Sequence, residues 1–193
     1  MSVLIIGLIL FLGLHSVRIF AEGWRERQIA QRGAGTWKGL YSVASIIGFG
    51  LIIWGWGLAR QEPLALWAPQ VWARHLASLL MLLAFILLAA AYVPKNGIKY
   101  RVHHPMVLGV KVWALAHLLA NHTLADLLLF GSFLVWALLD FRAARARDRI
   151  GHVSYAPGTA AGTAITVAVG VAAWAVFAFW AHGWLFGVNP IGR

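Results

Sequence analysis

HHPMVLGVKVWALAHLLANH, residues 103–122, is apolar enough to lie in a membrane, yet it carries four histidines, a lysine and an asparagine. Polar groups in hydrocarbon are costly unless they are paired or have a task. Imidazole is well suited to transition-metal and haem chemistry. Of the eight histidines, His15 (in FLGLHSVR) and His117 (in WALAHLLAN) fall inside apolar runs. His75 (in WARHLA) opens another run, and His104 stands before Pro105, a residue suited to the first turn of a helix. His103, His122, His152 and His182 sit in loops or near span ends, where water can satisfy them. For His15 and His117 two chemistries compete: hydrogen bonds to neighbouring helices, or ligation of a metal or of a b-type haem held between transmembrane helices.

Other chemistry is thinly supplied. Cysteine is absent, which excludes thiol catalysis, disulfides and thiolate-held clusters. The six acidic residues form no obvious pair; Asp126 suits a helix cap, and Asp140 and Asp148 lie among arginines. Six spans without internal repeats or paired intramembrane charges argue against a transporter. The formal charge of +10 is spread over short loops between apolar runs, where it sets orientation in a bilayer rather than binding nucleic acid.

The elements that must position these residues are membrane spans. The chain is 61% hydrophobic and 11% charged, with a mean hydropathy of +0.76, and this predicts an all-α polytopic bundle forming one transmembrane domain over 1–193. Runs of about 20 apolar residues place spans near 2–20, 39–58, 74–92, 105–121, 123–141 and 163–185. The first reads as retained, since no small-residue cleavage pattern follows it. Thr123 is placed to cap the fifth span, and FRAARARDR (141–149) to continue it toward lipid head groups. With six spans, 13 of the 16 basic residues fall on one side, leaving Arg60, Arg74 and Arg193 on the other. The positive-inside rule then predicts that both termini face away from the cytoplasm, which in a bacterial inner membrane would be the periplasmic side.

Helical spacing sorts the polar groups further. At about 100° per residue, Trp113, His117 and Asn121 share one face of the fourth span, while His104, Lys111 and His122 share another. Lys111 is near enough to the cytoplasmic interface to snorkel. His15 and His117 lie about four residues to either side of their span middles, a height difference of about 12 Å at 1.5 Å per residue. Pairings of His15 with His104, or of His75 with His117, therefore stay open beside His15 with His117. Trp24, Trp37, Trp67, Trp72 and Trp184 suit the interfaces, and Trp113, Trp136 and Trp174 are deeper. Gly48, Gly50, Gly55 and Gly57 would let a neighbouring helix or a flat cofactor approach the second span.

FLGLHS (10–16), KGLYSVASIIGF (38–49), WARHLASLLMLLAFILL (72–88), RVHHPMVLGVKVWALAHLLAN (101–121) and DLLLFGSFLVWALLDFR (126–142) together resemble the NnrU family of bacterial membrane proteins. The resemblance covers about 1–145, with the segment after 150 less alike. It implies an association with denitrification and with nitrite or nitric oxide metabolism. Through the related 15-cis-zeta-carotene isomerase it also implies haem b, a hydrophobic or polyene substrate, and isomerase or redox activity, the latter with a redox partner. Carried over by motif, the implied haem ligands are His15 and His117, with His104 and His75 as further members of the site. A non-enzymatic part in assembly or sensing for nitrogen oxide respiration is the alternative.

Overall fold

A computed structural model describes residues 1–68 and 70–191; Arg193 of the charge argument lies outside them. The fold is all-α. Its helices are α1 (Ser2–Phe20), α2 (Glu22–Arg32), α3 (Ala34–Ala59), α4 (Val71–Tyr92), α5 (Gly97–Val102), α6 (Pro105–Ala120), α7 (Leu124–Ile150) and α8 (Ala160–Phe186), the last containing a π-helical turn at Phe177–Ala181. Among the described residues five helices, α1, α3, α4, α7 and α8, are long and apolar enough to cross a membrane. The expected fourth span, α6, is apolar but only 16 residues long, about 24 Å at 1.5 Å per residue. It is cut short where the chain turns: His103 takes φ 65°, Pro105 occupies the first turn, and Asn121 is already extended.

The segment 21–38, expected as a loop, is mostly the polar helix α2. Glu22 opens it and pairs with Arg18 (3.6 Å) and Arg25 (3.1 Å), an acidic first turn that suits the helix dipole. At the other boundary, α7 runs to Ile150, so the arginine-rich FRAARARDR is helical as expected.

The large helices pack as a row in the order α3, α1, α7, α6, α4, α8, with α3 also touching α7. Thus α1 and α6, which carry His15 and His117, each flank α7 and do not touch one another. The best-buried cluster, Leu4, Leu8, Leu12, Ile52, Ala59, Ala125, Leu129 and Phe130, fills the junction of α1, α3 and α7. Large apolar side chains such as Ile9, Ile46, Trp54, Leu79, Phe179 and Trp180 point outward, as a lipid-facing surface requires.

Small residues fix the closest contacts. A Cβ at Gly55 would collide with the backbone of Leu4, and one at Gly7 would lie 2.6 Å from the Ile52 nitrogen. Gly48 and Gly55 therefore serve packing against α1, whereas Gly50 and Gly57 face open space. At the far end of the row, Gly158 and Gly162 seat the start of α8 on the 94–97 corner, and Gly170 seats it on Ile86.

Candidate functional site

The four histidines singled out by sequence fall into three different environments. His15 and His117 share one geometry. His15 Nδ1 is 2.7 Å from the Phe11 carbonyl, and His117 Nδ1 is 2.9 Å from the Trp113 carbonyl, each one turn back on its own helix. A carbonyl can only accept, so Nδ1 carries the proton in both rings and the Nε2 lone pair is left outward. This is the arrangement by which proteins orient an imidazole toward a metal.

Aromatic rings wall both sites. His15 stacks on Phe11 (4.1 Å between centroids) and neighbours Tyr41 (5.3 Å) and the edge of Trp136 (6.0 Å). His117 stacks on Phe130 (4.5 Å) beside Trp113 (5.3 Å). Phe133 joins the two walls, 5.8 Å from Phe11 and 5.4 Å from Trp113. Phe11, Phe133 and Trp113 therefore mark one level. His15 lies one turn below it toward the basic end, and His117 one turn above it toward the other end, which keeps the height difference of about 12 Å. Beside His15, the Trp136 indole N–H is buried without a hydrogen-bond partner. Buried polar atoms are seldom left so unless a ligand or water completes them. Among the described residues no three histidine, cysteine or acidic side chains gather as a bare metal ion would need. A porphyrin brings four nitrogens of its own and asks the protein for only one or two, so a haem needs no such cluster, and a single free Nε2 has the donor chemistry its iron takes.

His104 is engaged elsewhere. Its Nε2 lies 2.8 Å from Asp148 Oδ2, which also accepts from the Tyr155 hydroxyl at 3.0 Å. His103 stacks on Tyr155 (4.2 Å), and its Nδ1 accepts from Arg145 at 2.7 Å. This cluster ties the α5–α6 corner, the end of α7 and the 151–159 loop together at the basic end. Burial, and then the Asp148 carboxylate, push the Tyr155 phenol above its ordinary pKa. Sequence left His103 to water and assigned Asp148 no histidine, because the positive-φ turn at His103 that aims both rings at α7 has no local signature. Lys111 places its ammonium 4.7 Å above the Phe141 ring, as snorkelling toward that end predicts. His75 is exposed, on the face of α4 opposite the buried Ala73 and Ala77, and does not join His117.

At the other end Asp126 caps α7 through a reciprocal capping box with Thr123. Its second oxygen accepts from Trp56 Nε1 at 3.2 Å, so its partner beyond the cap is an indole rather than a histidine. His182, which sequence also left to water, follows the π-helical turn, and its Nδ1 donates to the Val188 carbonyl at 2.6 Å.

No curated protein and no solved structure matches this chain. The family described as NnrU protein matches residues 3–190, extending through α8 well past the motifs at 1–145. The chain belongs to the NnrU family.

Proposed function

We propose that this NnrU-family protein binds haem b, with His15 and His117 as iron ligands, and serves as an isomerase or redox enzyme in the membrane. What supports the reading is the matched anchoring of the two imidazoles, each tied through Nδ1 to a carbonyl and each left with a free Nε2 among aromatic rings. Bound haem would supply one-electron redox chemistry or, with an axial position open, a Lewis-acidic iron for a polyene double bond. The protein's own part is to orient the two rings, to keep water away with Phe11, Phe130, Phe133 and Trp113, and to offer the unpaired Trp136 donor beside His15. Its exposed apolar flanks give a hydrophobic substrate direct access from lipid, and a redox role would engage a partner. The link to nitrite or nitric oxide metabolism, and the kinship with a carotenoid isomerase, rest on the sequence resemblance.

The alternative is a non-enzymatic component supporting assembly or sensing in nitrogen oxide respiration. In its favour, aromatic side chains already fill the interval between His15 and His117. Purification from a haem-replete host, with oxidised and dithionite-reduced spectra and a pyridine haemochrome assay on wild type, His15→Ala and His117→Ala, decides between them. Stoichiometric haem b, altered in both variants, is expected. A folded protein without haem would sink the proposal and leave the non-enzymatic reading.

A further inference from the structure

At the basic end of the row, α5 and the start of α8 border a cleft of about 730 Å³. Hydrogen bonds fix its rim. The Gly97 N–H donates to Thr163 Oγ1 (2.9 Å), and the Thr159 N–H donates to the Lys95 carbonyl (2.8 Å). Gly158 lies so close that a Cβ there would collide with the Gly97 backbone. Buried Asn96 holds the same corner, donating to the carbonyls of Ala90 and Val93 and accepting from the Lys99 N–H.

The cleft joins a cation to an apolar track. Arg101 lines it from α5, while Ala160, Ala164, Val167 and Ala168 line it from α8. These four recur at i, i+4, i+7 and i+8, one face of a helix, and carry the lining about 12 Å along α8 at 1.5 Å per residue. Another face of α8 is taken up by packing: Gly162 lies on Lys95 and Gly170 on Ile86. Ala164, Val167 and Ala168 are exposed instead. Both threonine hydroxyls at the rim are committed, Thr159 Oγ1 accepting from the Gly162 N–H and Thr163 Oγ1 donating to the Thr159 carbonyl. The guanidinium therefore carries the free donors. Among the described residues Arg101 forms no salt bridge. No acidic residue occurs from 63 to 125 or from 149 to 193, and Asp148 is engaged by His104 and Tyr155. Lys95 and Lys99 add to the same uncompensated charge.

We infer that this cleft binds an anionic phospholipid from the leaflet at the basic end, with the phosphate on Arg101 and an acyl chain along Ala164, Val167 and Ala168. A guanidinium matches phosphate with paired donors, and basic pockets between membrane helices suit anionic head groups. The site stands apart from His15 and His117 and does not depend on the haem reading.

Native mass spectrometry of the delipidated full chain in detergent tests this through the apparent Kd of the first bound lipid. Phosphatidylglycerol is compared with phosphatidylcholine of the same acyl chains. Phosphatidylglycerol should bind more tightly. Arg101→Ala, at an exposed position, should weaken it about fivefold or more. Ala164→Trp, which fills the apolar track, should weaken it to a similar degree. Arg32→Ala, an exposed basic site at the end of α2, should leave it unchanged. Undiminished binding in Arg101→Ala and Ala164→Trp would overturn the site, and an equal loss in Arg32→Ala would show diffuse charge in its place. Equal affinity for phosphatidylcholine would overturn recognition of the head group. Displacement of the lipid by an equal concentration of inorganic phosphate would overturn the lipid in favour of a free anion.

Discussion

A histidine's fate in this protein is decided by what its Nδ1 and Nε2 atoms meet. His15 and His117 donate Nδ1–H back to their own helices and keep Nε2 free, whereas His104 turns Nε2 onto Asp148. The first pair is equipped to ligate and the third is already spent in structure. The Asp148 cluster is also where pH acts. Folding raises the Tyr155 pKa, so it favours the neutral phenol. That stabilisation is complete below the ordinary tyrosine value near 10 and is lost as pH rises through the raised one. Subtracting the alkaline absorbance titration of Tyr155→Phe from that of wild type should therefore give a phenolate midpoint above 10. In Asp148→Asn the midpoint should fall but stay above the ordinary value, because burial is the larger cause. No movement in that variant would mean that the carboxylate does not act on Tyr155.

Helix ends and helix contacts set the next scale. Thr123 and Asp126 start α7 with a capping box while Asp126 also receives the Trp56 indole. Asp126→Ala removes a cap worth about 1 kcal/mol and strands the half-buried Trp56 donor at about 1–3 kcal/mol. A loss of about 2–4 kcal/mol is expected in denaturant unfolding in mild detergent, with Asp126→Asn milder. The α1–α3 contact depends on glycine in a position-specific way. Gly55→Ala forces the Leu4 backbone away and should cost about 1–3 kcal/mol. Gly57→Ala meets open space and should be neutral or stabilising by up to about 1 kcal/mol from helix propensity. Equal effects at the two positions would show that α1 does not lie against Gly55.

Over the whole molecule, apolar helices of alternating direction gather the basic loops at one end, and by the positive-inside rule that asymmetry would set the orientation in a bilayer. We expect Gln61, in the loop after α3, on the periplasmic side, and Ser154, in the loop before α8, in the cytoplasm. The chain has no native cysteine, so Gln61→Cys and Ser154→Cys can be probed one at a time with a membrane-impermeant thiol reagent in intact cells. Labelling at Gln61 alone is the expected outcome, and labelling at Ser154 alone would invert the topology.

Sequence by itself determined the class of molecule, the approximate apolar helices, the cap at Thr123, the helical continuation through Arg149 and the height offset of His15 and His117. Each of these depends on hydropathy, capping chemistry or the fixed rise of an α-helix, which are local properties. Tertiary structure decided the neighbours. The row order puts α7 between α1 and α6, and the positive-φ turn at His103 hands His104 to Asp148. Such contacts join residues far apart in the chain, and the periodicity of one helix carries no record of which other helix will cover its face or at what height.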